Sequence, residues 1–242
     1  MEDLRGIWTM TADVDLLRRL ARSGVDWIAV DAQHGPVDRG ALHGVGRALA
    51  DSPVPWLVRV PSVDAAWIGA ALDAGAAGVV VPSVTGAADA QAAALAARYP
   101  PLGERSWGPF APLWGGVAPT PEAANQAVRC WVMVETPGAL DEVDAIAATP
   151  GVDGVFIGPF DLALSHGTTV DALLEDESAD GPIARVVAAA RRQGIEVGAF
   201  AGTPQNALRL RAHGIGYVAV TTDAGVVSAG VRAVLDACDA PA

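Results

Sequence analysis

Eight short apolar runs alternate with longer helical patterns along this 242-residue chain, and glycines recur where helical patterns give way to the next run. Such alternation is how successive βα units of a parallel sheet read. The length suits a closed eight-unit barrel, which takes about 250 residues. The sequence therefore predicts an α/β fold, a TIM (β/α)8 barrel built as a single domain over residues 1–242.

The first run, residues 6–9, closes on Thr9. The helical pattern after it ends at Gly24, and the second run, 27–31, follows. Glycine suits that joint because it enters the left-handed conformation at little steric cost. The third run, 56–60, carries Arg59 just ahead of Pro61. Gly75 then ends a helical pattern before the fourth run, 78–82. Asp73 and Gly75 interrupt the apolar stretch 65–84, so it is not a membrane span. The fifth run, 131–135, closes on Glu135. The sixth, 154–157, leads through Gly158, Pro159 and Phe160 to Asp161. Gly194 and Gly214 introduce the seventh and eighth runs, 196–200 and 217–221. Two segments break the rhythm: 99–121, rich in Gly, Pro and Trp, and 165–181, which is acidic. Read as following the fourth and sixth strands, both are expected as lids on the catalytic rim.

Composition narrows the partners. A hydrophobic content of 51% supports a large core, and a formal charge of −12 without a basic stretch disfavours nucleic acid and anionic membranes. Cys130 and Cys238 lie far apart and form no CxxC pair, as expected in a reducing cytoplasm. The charged start, Met1-Glu2-Asp3-Leu4-Arg5, resembles no secretory signal. All 16 basic residues are arginine. A Schiff-base mechanism needs a lysine amine, so that chemistry is excluded.

Barrel enzymes place their chemistry at the carboxyl ends of the strands. Reading those ends gives Thr9, Asp31 with Gln33 and His34, Arg59, Pro82-Ser83, Glu135, Gly158-Pro159-Phe160-Asp161 and Thr221-Thr222-Asp223. A carboxylate ending a buried strand is costly unless it is paired or holds a metal, so Glu135 and Asp161 point to a divalent cation. Helix capping is the competing role for both, with an ion pair also open to Glu135. Arg59 points into the rim or pairs with a neighbouring acid. His34 is close enough to Asp31 for the carboxylate to orient its imidazole as a general base, the alternative being an ordinary loop histidine. His43 falls within a helical pattern and His213 at the end of one beside Gly214, while His166 follows Ser165 on the sixth loop, near the site, as a minor catalytic candidate. Trp107 and Trp114 line a substrate pocket, or serve packing or a subunit contact.

The stretches Val30-Asp31-Ala32-Gln33-His34-Gly35, Val58-Arg59-Val60-Pro61, Tyr99-Pro100-Pro101-Leu102-Gly103-Glu104-Arg105, Val134-Glu135-Thr136 and Gly154-Val155-Phe156-Ile157-Gly158-Pro159-Phe160-Asp161 resemble those of the HpcH/HpaI class II pyruvate aldolases, the 4-hydroxy-2-oxoheptanedioate aldolase-like family. The resemblance implies reversible cleavage of a 4-hydroxy-2-oxo acid to pyruvate and an aldehyde through a pyruvate enolate. It puts a divalent metal, Mg²⁺ or Mn²⁺ with Co²⁺ as a further candidate, on Glu135 and Asp161. The catalytic arginine falls on Arg59, and the histidine with its supporting aspartate on His34 and Asp31. It also implies a homo-oligomer, commonly a hexamer. Backbone N–H groups near Phe160 and Asp161, with Ser83 and Arg105, are the expected substrate contacts. Gln33 stands where some members carry Glu, and 168–182 departs from the family pattern. A CoA-thioester lyase of the citrate lyase β or malyl-CoA type, an oxo-acid decarboxylase and a non-catalytic oxo-acid-binding barrel are the alternatives.

Overall fold

In the computed structural model, which describes residues 3–239, eight parallel strands close into a barrel in chain order. They are β1 (Leu4–Thr9), β2 (Trp27–Asp31), β3 (Trp56–Arg59), β4 (Gly78–Val81), β5 (Arg129–Val134), β6 (Gly154–Ile157), β7 (Glu196–Phe200) and β8 (Tyr217–Thr222). Each expected run is a strand. Val60, Pro82 and Glu135 fall just beyond strand ends, and Met1 and Glu2 of the charged start lie outside the described residues. The anticipated joints at Gly24, Gly75, Gly194 and Gly214 all have positive φ, between 68° and 94°. Apolar segment 65–84 divides into the helix Ala65–Asp73 and strand β4. Among the described residues no helix is long and apolar enough to cross a membrane.

Alternating side chains sort the core into two layers. Outward residues such as Ile28, Val30, Val58, Val79, Val132 and Val155 pack beneath the surrounding helices. Inward residues fill the barrel with aromatic rings: Trp8, Trp27, Trp131 and Phe156, with Tyr217 and Phe200 against them. Trp27 meets Phe156 edge-on at 6.4 Å, and Trp131 lies 5.0 Å from Tyr217. Space for the indoles comes from strand glycines. A Cβ on Gly6 would stand 2.2 Å from the Trp27 ring, and one on Gly154 would stand 2.5 Å from Trp131. Few aromatics thus suffice to plug the barrel and leave its carboxyl-terminal mouth as the open end.

Two expectations about the loops need correction. Segment 99–121 follows the helix Ala87–Ala97 rather than β4 itself, because the chain traverses the barrel's length in that helix first. The segment therefore lies at the amino-terminal end of the strands, where the Phe110 N–H donates to the Asp73 carbonyl at 2.7 Å and Arg105 pairs with Asp73. It is no lid on the mouth. Segment 165–181 does follow β6 on the mouth side, and it folds into the helix Val170–Glu175 after the helix Pro159–Ser165.

The last helix, Asp223–Asp239, is unlike the rest. Asp223 is its one buried residue, while Val226, Val227, Val231, Val234 and Leu235 form an exposed apolar face.

Candidate active site

A cavity of about 330 Å³ opens at the carboxyl ends of the strands, lined by Trp8, Met10, Asp31, His34, Arg59, Met133, Gly158, Pro159, Phe160, Asp161, Phe200 and Thr222. Strand alternation explains its membership. In β2 the inward series is Trp27, Ala29, Asp31; in β3, Leu57 then Arg59; along β5, Trp131, Met133, then Glu135 just past the strand.

Strands β2 and β3 pair with Asp31 directly opposite Arg59, so both inward side chains meet. Asp31 is fully buried and Arg59 is 9% exposed. The Arg59 Nε donates to Asp31 Oδ1 at 3.0 Å, its Nη2 donates to Oδ2, and Trp8 Nε1 donates to the same carboxylate at 3.1 Å. Burial opposes the charge on Asp31. The Arg59 contacts, with the Trp8 and His34 donors, outweigh it and hold the carboxyl below its ordinary value. Arg59 therefore makes an ion pair and lines the cavity as well, joining two roles set apart as alternatives. Its guanidinium also stacks 5.1 Å from the Trp8 ring.

The expected aspartate–imidazole contact is not what forms. Asp31 accepts from the backbone N–H of Gln33 at 2.9 Å and of His34 at 3.2 Å, fixing the turn rather than the ring. The reason is competition: Arg59 and Trp8 already claim the carboxylate from inside the barrel. The His34 side chain extends from that fixed turn, largely exposed, on the cavity wall. The Gln33 side-chain oxygen is buried without a hydrogen-bond partner.

Glu135 is 6% exposed and sits against Gly158, where a Cβ would lie 2.7 Å from its Oε2. Only glycine permits that approach. The Ser83 N–H donates to Glu135 Oε1 at 2.6 Å. Ser83 holds the left-handed conformation, φ 57°, and is exposed rather than part of the cavity lining. A non-glycine residue in that region carries about 1–3 kcal/mol of strain. Ser83 thus reaches Glu135 through its backbone N–H. Burial pushes the Glu135 carboxyl up; the Ser83 N–H pulls it down, and the nearby charge of Asp161 raises it again.

Asp161 does not close a buried strand. Strand β6 stops at Ile157, and the helix Pro159–Ser165 begins two residues later with Gly158 as its N-cap. Asp161 occupies the exposed first turn and faces the cavity. Proline sets the helix start and is tolerated there because the first N–H has no intrahelical partner anyway.

Among the described residues neither Glu135 nor Asp161 is ion-paired, and no three His, Cys, Asp or Glu side chains gather as a closed metal cage. Two uncompensated carboxylates beside an open cavity fit a hard divalent cation. Such ions keep several positions for water or substrate oxygens.

Arg105, expected as a substrate contact, is instead at the opposite end of the barrel. It pairs with Asp73 at 2.7 Å and stacks 4.5 Å from the Tyr99 ring. Trp107 stacks on Tyr99, and Trp114 packs on His43, so both tryptophans serve the amino-terminal end. His166 and His213 cap helices, each hydrogen-bonded to a backbone carbonyl at 2.9 Å.

Trp8, Met10, Met133 and Phe200 line the cavity without having been picked from strand ends. Thr9 points outward, its hydroxyl donating to the Ala29 carbonyl at 2.8 Å. Counting back by two from Glu135 would have selected Met133. Of the eighth strand end, Thr222 lines the cavity, set beside Trp8 by the β1–β8 register shift between Gly6 and Ile7.

Residues 4–229 match the family described as HpcH/HpaI aldolase/citrate lyase. The 4-hydroxy-2-oxovalerate aldolase of Novosphingobium aromaticivorans is 38% identical over 196 residues, spanning 78% of this chain and 74% of that protein. The hydroxypyruvate/pyruvate aldolase of Paraburkholderia phytofirmans is 35% identical over 230 residues, 92% of this chain and 88% of its own. The crystal structure of an HpcH/HpaI aldolase/citrate lyase family protein from Burkholderia cenocepacia superposes with a TM-score of 0.88 at 32% identity, covering 99% of this chain and 95% of that one. A closed parallel barrel carrying these residues at its mouth, matched across nearly its whole length, belongs to the HpcH/HpaI aldolase/citrate lyase family, and the chain is an aldolase-type carbon–carbon lyase.

Proposed function

We propose that this TIM barrel, a single domain over residues 1–242, reversibly cleaves 4-hydroxy-2-oxo acids to pyruvate and an aldehyde. Glu135 and Asp161 would hold the divalent cation, Mg²⁺, Mn²⁺ or Co²⁺. The observation that carries this reading is the facing arrangement: two uncompensated carboxylates on one side of the mouth, the Arg59–Asp31 pair on the other. A cation bound by the two acids supplies Lewis-acid polarisation of the substrate's keto oxygen.

The chain's own groups do the rest. Asp31 fixes the guanidinium plane, so the remaining Arg59 N–H groups are aimed before substrate arrives. They meet the oxygen that gains negative charge as pyruvate becomes its enolate. His34 takes the proton of the 4-hydroxyl group; the electrons of that O–H bond form the aldehyde carbonyl, and those of the breaking C3–C4 bond pass to the enolate. Addition of a proton at C3 completes pyruvate. Backbone N–H groups of Phe160 and Asp161, in a first turn without a side-chain cap, are suited to the substrate carboxylate. No lysine exists to form an imine.

The exposed apolar face of the helix Asp223–Asp239 supports a homo-oligomer, for which a hexamer is the expectation. The unpaired Cys130 and Cys238 are in keeping with the cytoplasm.

The test is cleavage of a 4-hydroxy-2-oxo acid by purified protein before and after EDTA. Activity should vanish and return with Mn²⁺ or Mg²⁺; full turnover by metal-free protein rejects the metal-dependent mechanism. Pyruvate released without an aldehyde would identify a decarboxylase instead.

A further inference from the structure

The mouth of the barrel is chemically divided. Asp31, His34 and Arg59 arise from β2, β3 and the loop after β2, and Asp161 follows β6. Beside them an apolar arc runs from Trp8, which donates to Asp31, to Phe160 next to Asp161: Trp8 and Met10 from β1 and its loop, Phe200 from β7, and Phe160. The rings of this second group touch in sequence: Trp8 to Phe200 at 5.7 Å and Phe200 to Phe160 at 5.8 Å. Gly202, at φ +75°, lets the Phe160 ring lie over the backbone, since a Cβ there would be 3.2 Å from its Cζ. Phe160 remains 46% exposed, a large apolar ring turned to the cavity entrance.

Charge on the wall is as telling as its shape. Arg59 is the one arginine among the lining residues, and its Nε and Nη2 are held by Asp31. The chain has no lysine. Thr222 is the one hydroxyl on the aromatic side, and it is neutral. An anionic group on the far end of the aldehyde, seated against Phe200 and Phe160 and away from the Arg59 that stacks on Trp8, would meet rings with no counter-charge, and desolvating an unpaired anion is disfavoured.

Resting on the aldolase reading above, we infer that the aldehyde half of the substrate is uncharged and apolar beyond its carbonyl carbon, and that Phe160, Phe200 and Trp8 select it. The polar half of the mouth takes the pyruvate portion. The aromatic arc takes an aliphatic or aromatic tail by area and ring contacts.

Two substrates sharing the pyruvate half decide the matter: 4-hydroxy-2-oxohexanoate, which yields propanal, and 4-hydroxy-2-oxoheptanedioate, which yields a carboxylate-bearing aldehyde. The wild-type enzyme with Mn²⁺ should show a kcat/KM at least about tenfold higher for the first, the order of discrimination a pocket of this kind gives. Phe200→Arg should narrow or reverse that ratio by supplying the missing cation. Equal or faster cleavage of the dicarboxylate by the wild type overturns the inference, whatever the variant does. Solvent exchange of the pyruvate methyl protons, measured in parallel, separates the two levels. Exchange together with dicarboxylate preference overturns the acceptor assignment alone; no exchange and no cleavage of either substrate overturns the aldolase reading with it.

Discussion

Replacing Asp31 with Asn is expected to destabilise the fold by about 3–5 kcal/mol, the cost of breaking a buried ion pair by removing one partner. Asp31 is fully buried and Arg59 is 9% exposed. The guanidinium cannot shed its proton, so the variant leaves an uncompensated charge in the barrel mouth. The Asn side chain keeps one acceptor oxygen, and its amide then points N–H groups at a cation that needs an acceptor. Against a typical total stability of about 5–15 kcal/mol, the loss is a large fraction. Urea unfolding followed by the fluorescence of the seven tryptophans, at one fixed protein concentration, measures it. A cycle with Arg59→Met sharpens the test. The double variant removes both charges and should recover about 1–3 kcal/mol relative to the sum of the single losses. Acid adds a second check. Asp31 has a lowered folded pKa, so its contribution is complete above the ordinary carboxylate value and is lost as pH falls through the folded one. Wild type and Asp31→Asn should therefore converge in acid. Additive single losses, with a stability gap that stays constant from neutral pH into acid, would show that the pair is not the coupled unit described.

His34→Ala should slow exchange of the pyruvate methyl protons by about 10²–10⁴-fold, the usual share of a general base, and an unchanged exchange rate moves the base elsewhere. Glu135→Gln should weaken Mn²⁺ binding by at least about tenfold in calorimetry, as loss of a charged oxygen donor does. Wild-type affinity in that variant would remove Glu135 from the coordination shell. Introducing Val231→Glu with Val234→Glu on the last helix should reduce the assembled mass seen by light scattering, because those side chains form an exposed apolar face. An unchanged mass would locate the subunit contact on another surface.

The eight strands and their glycine joints were legible because both signals are local: an apolar run bounded by a residue that tolerates positive φ needs no distant partner. The site was legible in part for the same reason. Asp31, His34, Arg59, Phe160 and Asp161 surround one cavity, with Glu135 against Gly158 at its edge. Arg105 was misplaced because its loop was tied to β4 without the intervening helix Ala87–Ala97, whose length carries the chain to the other end of the barrel. Thr9 was chosen over Trp8 because a strand's last residue was taken instead of its inward one. Ser83 was expected as a contact to substrate, whereas at its positive φ the backbone N–H is given to Glu135.

Sequence alone determined the parallel barrel, the absence of an imine-forming lysine and the acids available for a cation, since periodicity and residue inventory are one-dimensional properties. Tertiary structure decided which groups meet. The β2–β3 register joins Asp31 to Arg59 across 28 positions, and it thereby denies that carboxylate to the His34 ring. The closing shift between β1 and β8 brings Thr222 beside Trp8. Register depends on how whole strands pack around a common axis, and no local pattern in the chain encodes it.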